Sequence, residues 1–164
     1  MAVVNDSTLL NLAVEMGAAL RHKGWTLALA ESCTGGMAAQ YATAIAGSSA
    51  WVECGFVTYS NEAKVEMLDV SAVTIEQHGA VSEETAREMS LGALQHSRAQ
   101  IAIAITGIAG PDGGTPEKPV GTVCFAWADV TGKINSETRH FSGDRETIRK
   151  QSVHHAFKEL LLLH

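Results

Sequence analysis

The chain is short of the features that mark secreted and membrane proteins. Its 164 residues include three cysteines, Cys33, Cys54 and Cys124, and none forms a Cys-x-x-Cys pair. This dispersed, odd-numbered set is typical of reduced thiols and argues against a disulfide framework or a cysteine zinc site. The longest apolar runs, such as 101–105 and 160–163, are far shorter than the about 20 residues of a membrane span. With no secretory signal visible at the N-terminus, we expect a cytoplasmic protein that does not contact membranes.

Charge is also scarce, at 18% of residues, and it is unbalanced toward the acidic side. Twelve Lys and Arg face 18 Asp and Glu, which gives a formal net charge of −6. An acidic balance argues against a broad nucleic-acid surface, although one basic pocket could still hold a phosphate. The length and the 46% hydrophobic content suit one domain, which we expect to span residues 1–164.

Helical and extended patterns alternate along the chain. This alternation predicts a three-layer α/β/α sandwich with a mixed, mostly parallel sheet of about five strands. A turn signal at residues 129–133 predicts a late hairpin and therefore at least one antiparallel strand. The expected strands are 25–30, 56–59, 101–106, 121–128 and 135–141; the expected helices are one capped by Ser7 and closed by Gly24, 37–46, 61–68 with an Asn61 cap, one capped by Ser82, and 144–163.

The stretch 106–121 is the sharpest compositional anomaly, with five of the 15 glycines and all three prolines. It follows the most apolar strand, at the position where open α/β sheets bind ligands. Backbone N–H groups around Thr106, Gly107, Ala109 and Gly110 are therefore candidates for binding an anionic substrate group. A long surface loop is the alternative interpretation.

A second turn, Glu31–Gly36 (ESCTGG), follows the first expected strand and opens a helix. The candidates here for an anion site at a helix N-terminus are Ser32, Thr34, Gly35 and Gly36. Cys33 is a weak nucleophile candidate, because no histidine lies near it in sequence to activate the thiol.

Two arginines, Arg145 and Arg149, lie one turn apart at the start of the last helix. Cations there oppose the helix dipole. Guanidinium groups bind phosphate in bidentate geometry, so both are candidates for holding a substrate anion. A solvated surface pair is equally compatible with the spacing.

The segment 47–64 carries the strongest catalytic candidates. It contains Ser48 and Ser49 as possible nucleophiles, together with Tyr59 and Lys64. A lysine activates a serine if it is held neutral, which requires lowering its pKa by roughly 3 units, or about 4 kcal/mol. Because none of the seven histidines has ligand spacing to another, no metal is expected.

Seven motifs in order carry a family resemblance whose match runs from about residue 9 to residue 161. They are 30–36 (AESCTGG), 47–51 (GSSAW), 55–64 (GFVTYSNEAK), 78–82 (HGAVS), 106–114 (TGIAGPDGG), 118–123 (KPVGTV) and 141–145 (FSGDR). In this combination the chain resembles the CinA C-terminal domain family.

The resemblance implies hydrolysis of the carboxamide of nicotinamide mononucleotide to nicotinate mononucleotide and ammonia, a step of pyridine-nucleotide salvage. It also implies a three-layer α/β/α fold, self-association as a dimer or larger homo-oligomer, and no cofactor. By motif position the nucleophile falls on Ser49, with Ser48 as second choice, and the base on Lys64 with Tyr59. A non-catalytic nucleotide-binding or regulatory module, or an amidase for another small amide, would be compatible with the same motifs.

Overall fold

The computed structural model describes residues 3–164 and alternates helices with strands. None of the helices in this range combines the length and the hydropathy that a bilayer span requires. The elements are α1 (Asp6–Lys23), β1 (Leu27–Glu31), α2 (Met37–Thr43), a 3-10 turn (Ser48–Ala50), β2 (Val52–Val57), α3 (Asn61–Leu68), α4 (Ala72–His78), α5 (Glu83–Gln95), β3 (Ile101–Gly107), β4 (Thr122–Asp129), β5 (Ile134–His140) and α6 (Arg145–Leu163).

The five strands form one mixed sheet in the order β2-β1-β3-β4-β5. Strand β1 pairs in parallel with β2 and with β3, whereas β4 is antiparallel to both β3 and β5. The predicted mixed α/β sheet is therefore confirmed, with two parallel and two antiparallel pairings. The β4–β5 connection is the predicted hairpin, in which Asp129 accepts hydrogen bonds from the backbone N–H and hydroxyl of Thr131.

The alternation of large and small residues along β3 separates the two helical layers. Ile101, Ile103 and Ile105 belong to the hydrophobic cluster on the α1, α2 and α6 side. Ala102 and Ala104 belong to the cluster on the α5 side. Because alanines project little from the sheet, α5 can approach it closely, and two helical layers enclose the sheet.

Local differences from the expected boundaries have identifiable causes. Helix α1 is capped by Asn5, not Ser7, since the Asn5 side chain accepts from the Thr8 N–H. Helix α3 is capped by Ser60, one residue before the predicted Asn61. Strand β2 begins at Val52 and alternates between half-buried and exposed residues, as an edge strand does. A search for apolar runs therefore misses its first half.

The parallel strands bring three connections to one edge of the sheet. The carboxyl ends of β1, β2 and β3 lie side by side in register, with Glu31 opposite both Val57 and Ile105. The residues that follow these strands are therefore neighbours, as in other open α/β sheets.

Candidate active site

A cavity of about 280 Å³ opens at this edge of the sheet. Three connections contribute to its wall: the turn after β1, the segment from Tyr59 into α3, and the Gly-rich loop after β3. Among the predicted site residues, those that line it are Ser32, Tyr59, Lys64, Thr106, Gly107, Ala109, Gly110 and Arg145.

The central contact joins Lys64 to Ser32. Lys64 lies in the first turns of α3 and is 1% exposed. Its Nζ lies 3.0 Å from Ser32 Oγ. The Ser32 backbone is fixed to the sheet by its N–H, which donates to the Ile105 carbonyl at 2.9 Å. A hydroxyl and a primary amine thus meet where the cavity is closed to solvent on one side.

The surroundings of Lys64 favour its neutral form. Burial lowers the pKa of the Lys64 amine from its usual value, because the charged form loses hydration. The partners of Nζ besides Ser32 are backbone carbonyls, those of Thr58 at 2.8 Å, Tyr59 at 3.4 Å and Ser60 at 3.5 Å. A neutral amine can donate its two N–H groups to the nearer carbonyls, and its lone pair is then left for the Ser32 hydroxyl proton. The pair therefore has the geometry of a nucleophile with its general base.

The neighbouring thiol does not compete for this role. Cys33 is buried beside the pair, and burial raises the pKa of its thiol to about 12. At neutral pH it is therefore a protonated, weak nucleophile.

A buried carboxylate holds the turn that carries Ser32. Glu31 is 1% exposed, and its Oε2 accepts from Thr34 Oγ1 at 2.6 Å and from the Gly36 and Ala38 N–H groups at 3.1 Å. Its Oε1 accepts from the Ala39 N–H at 2.8 Å. These N–H groups are the free donors of the α2 N-terminus, which an anion would otherwise bind. The protein thus supplies its own anion at this helix end.

Four of the predicted ligand-binding residues lie at this turn and outside the cavity lining. Thr34 and Gly36 donate to Glu31, and Gly35 does not line the cavity. Arg149 reaches the same turn, where its Nη2 donates to the Thr34 carbonyl at 2.8 Å. The polar groups of Thr34, Gly36 and Arg149 hold the turn in place, and the phosphate contacts expected of these residues and of Gly35 stay predictions.

The structure also separates Ser49 from Lys64. Ser49 is exposed in the 3-10 turn that precedes β2, whereas Lys64 follows the other end of that strand. A strand of six residues spans about 20 Å, so the two side chains lie at opposite edges of the sheet. Ser48, the second choice, donates to the Thr43 carbonyl at 3.4 Å. The hydroxyl within reach of the Lys64 amine is that of Ser32 instead.

Arg145 and Tyr59 lie together at the mouth of the cavity. Arg145 Nη1 donates to the Gly110 carbonyl at 2.7 Å, and Nη2 donates to the Tyr59 hydroxyl at 2.8 Å. The Tyr59 side chain is exposed, so the phenol is not inserted between Ser32 and Lys64. Since a guanidinium carries five N–H donors, Arg145 retains three for a ligand.

The Gly-rich loop forms the far wall, and its glycines allow close backbone contacts. A Cβ on Gly110, whose φ is +79°, would lie 2.5 Å from Val120. The Thr106 hydroxyl donates to the Ala80 carbonyl at 2.8 Å, which ties the start of the loop to the segment before α5.

The sequence pattern indicates Ser32 as a substrate-binding residue, not as the nucleophile, and does not single out Glu31. One signal was present in the sequence: a serine followed at once the first buried strand, at the edge where ligands bind. Glu31 left a weaker signal, a charged residue at the end of an otherwise apolar strand.

Comparisons with known proteins identify the family of the chain. The model of the CinA C-terminal domain family matches residues 9–163. The chain is 54% identical over 150 residues to a protein of Enterobacter agglomerans and 53% identical over 157 residues to one of Escherichia coli K12, both named nicotinamide-nucleotide amidohydrolase PncC. These alignments cover 92% of both chains in the first case, and 96% of this chain and 95% of the relative in the second.

A solved structure shares the whole fold. The competence/damage inducible protein CihA of Agrobacterium tumefaciens is 43% identical, superposes with a TM-score of 0.94, and is aligned over 99% of each chain. The family match over nearly the full length, the relatives and this structure lead to one conclusion: the chain belongs to the CinA C-terminal domain family.

Proposed function

We propose that this protein is a nicotinamide-nucleotide amidase that converts nicotinamide mononucleotide and water to nicotinate mononucleotide and ammonia, as a step of pyridine-nucleotide salvage. The observation that carries the proposal is the contact of 3.0 Å between the buried Lys64 Nζ and Ser32 Oγ. The names of the relatives supply the substrate class.

In the first half of the proposed reaction, Ser32 is acylated. Neutral Lys64 takes the hydroxyl proton as Ser32 Oγ attacks the carboxamide carbon. The resulting tetrahedral intermediate carries an oxyanion, which backbone N–H groups of the cavity wall would stabilise. When the C–N bond breaks, the Lys64 ammonium returns its proton to the leaving nitrogen, and ammonia departs.

In the second half, water resolves the acyl-enzyme. Lys64, neutral again, removes a proton from water, and the hydroxide attacks the ester carbon. Collapse of the second tetrahedral intermediate breaks the bond to Ser32 Oγ, which recovers a proton from Lys64. The sum is one amide and one water converted to one acid and one ammonia, with the enzyme unchanged.

The mouth of the cavity supports a substrate with a remote anionic group. Arg145 lies there with unused donors, beside the exposed Tyr59 hydroxyl. Binding of the 5′-phosphate at this position would orient the small carboxamide toward Ser32. In this proposal Tyr59 is a binding and positioning residue of the mouth and not the base.

Ammonia release from nicotinamide mononucleotide by the wild type and by Ser32→Ala and Ser49→Ala tests the assignment. We expect Ser32→Ala to lose at least about 10³-fold in kcat, as removal of a serine nucleophile does. Ser49→Ala is the matched control and should stay within about twofold of wild type, because Ser49 is exposed outside the cavity.

Two results would contradict the proposal. An inactive Ser49→Ala beside an active Ser32→Ala would return the nucleophile to Ser49. A wild type that binds the nucleotide but releases no ammonia would identify a nucleotide-binding module instead of an amidase.

A further inference from the structure

A second group of titratable side chains lies away from the proposed active site. It is located between β5 and α6, on the side of the sheet that α1, α2 and α6 cover. It consists of Glu137, His155 and Glu159, whose ligand-type atoms all lie within 4.8 Å of one another. A separate cavity of about 480 Å³ adjoins it, with His155 and Glu159 in its wall. This cavity shares no lining residue with the one at Ser32.

The backbone explains why these three side chains converge. His155 and Glu159 are four residues apart on α6, which places them on one face of the helix. Glu137 lies near the middle of β5, opposite Phe125 of β4. A search of the sequence for histidine pairs does not find this group, because it contains one histidine and draws a carboxylate from another element.

The imidazole is oriented before any ligand arrives. Its ring centroid lies 4.9 Å from that of Phe125, 6.1 Å from Trp127 and 6.2 Å from Phe141. His155 Nε2 makes a short contact with Glu137 Oε1. The packing of three aromatic rings restricts the orientation of the imidazole and so the direction of Nε2.

The first carboxylate is held from its other side. Arg139 Nη2 lies 3.0 Å from Glu137 Oε2, which leaves Oε1 for the shared position. The side chains of Glu137 and His155 are 29% and 13% exposed, so the group is only partly hydrated. The two carboxylates outweigh the single close cation, and Lys158, the next cation in the cavity wall, is exposed.

We propose that Glu137, His155 and Glu159 form a binding site for a divalent transition-metal ion, with Zn²⁺ as the best match. Zinc accepts imidazole nitrogen and carboxylate oxygen as ligands, and the fourth position would face the cavity. Tetrahedral zinc with bonds of about 2.0–2.1 Å needs its ligand atoms about 3.3 Å apart. The three atoms lie within 4.8 Å of one another, and binding would require them to adjust to that separation. Binding displaces the hydrogen-bond proton shared by His155 and Glu137, which is released to solvent.

The ion would join the edge strand β5 to α6. Strand β5 is otherwise attached to this layer by few buried side chains, since its residues are half-buried or exposed. The predicted role is therefore structural stabilisation of this edge. It is independent of the proposed amidase reaction.

The test uses the full chain, treated with a chelator and then titrated with Co²⁺ and Zn²⁺. We expect one ion per chain, visible absorption bands of four-coordinate Co²⁺, and a rise in melting temperature with Zn²⁺. Glu159→Gln should weaken binding at least about tenfold, since even loss of an outer partner of a metal ligand typically costs 10–100-fold. Glu159 is half-buried, so this variant should fold, which circular dichroism and ammonia release would verify.

His96→Gln is the matched control. His96 Nε2 lies 2.6 Å from Asp69 Oδ2, which makes a histidine–carboxylate pair without a third ligand group within residues 3–164. We expect its metal affinity to equal that of wild type. Three results would overturn the proposal: no saturable binding below about 1 mM, equal affinity of wild type and Glu159→Gln, or loss of binding in His96→Gln. If the wild type binds the metal but releases no ammonia, the proposed roles of Ser32 and Lys64 are contradicted and the metal-site proposal is not.

Discussion

Two turns in the N-terminal half of the chain look alike in sequence and differ in almost everything else. The first turn, Glu31–Gly36, and the second turn, Gly47–Trp51, each combine serine with glycine next to a strand of the sheet. The first follows the carboxyl end of β1 and places Ser32 against a buried amine. The second precedes the amino end of β2 and leaves Ser49 exposed.

The difference shows that a serine's chemistry here depends on the sheet edge where it lies. At the carboxyl edge three connections converge and enclose a cavity. At the amino edge the second turn instead positions Trp51, which is 1% exposed. A Cβ on Gly17 of α1 would lie 2.6 Å from Trp51 Nε1, which shows how closely the helix packs on the indole. The first turn should therefore determine activity and the second turn stability.

The largest expected effect is at Lys64. Lys64→Met keeps an apolar stem of similar length and removes the amine, so kcat should fall about 10³–10⁴-fold, near the upper limit for loss of a general base. Lys64→Arg should not restore activity, because a guanidinium stays protonated. Ammonia release measures both variants, and an active Lys64→Arg would exclude a neutral base at this position.

The second turn is tested by Trp51→Ala. Removal of this buried indole should lower the free energy of unfolding by about 3–5 kcal/mol. The kcat of the remaining folded protein should stay within about threefold of wild type. Urea unfolding with ammonia release on the same samples measures both quantities. A variant of wild-type stability that is inactive would reverse the roles assigned to the two turns.

The pH dependence examines the same amine without a substitution. Burial lowers the pKa of Lys64, and the neutral form is the proposed base. The value of kcat/KM should therefore rise with pH and reach a plateau above the pKa of this amine. We expect that pKa to be lower than the usual lysine value of about 10.4. Below that pKa, kcat/KM should fall about tenfold per pH unit. A profile that rises only at the usual lysine pKa would mean that the amine is charged in the resting site.

The support of the first turn is tested by Glu31→Gln. The amide keeps one oxygen acceptor, but its NH₂ group faces a backbone N–H that the carboxylate had accepted from. The free energy of unfolding should therefore fall by about 1.5–3 kcal/mol, because the hydrogen bonds to a charged acceptor are lost. Because Ser32 adjoins Glu31, kcat should fall about tenfold with little change in KM. Glu53→Gln, at an exposed position of β2, is the control and should alter neither quantity.

Much of the fold followed from the sequence, while the pairing of catalytic groups did not. The hydropathy of β1, β3 and β4 and the turn at 129–133 predict a mixed sheet, since burial and turn chemistry are local properties. The proposal of Lys64 as the base also starts from residue types near a strand end. The partner of Lys64 depends on strand order: Ser32 and Lys64 are 32 residues apart and meet only because β1 and β2 are parallel neighbours. The expectation of Ser49 comes from its motif position in the family resemblance, which carries no information about strand order.

The smallest expected effect separates the two arginines of α6. Arg149 binds the first turn through the Thr34 carbonyl, whereas Arg145 lies over the cavity mouth with unused donors. If Arg145 binds the substrate phosphate, Arg145→Ala should raise the KM for nicotinamide mononucleotide about tenfold, the loss expected for a charge-assisted hydrogen bond at an exposed site. The KM for nicotinamide riboside, which lacks the phosphate, should change less than about twofold. Equal losses for both substrates would mean that Arg145 acts by holding Gly110 and Tyr59, and the phosphate would then bind elsewhere on the cavity wall.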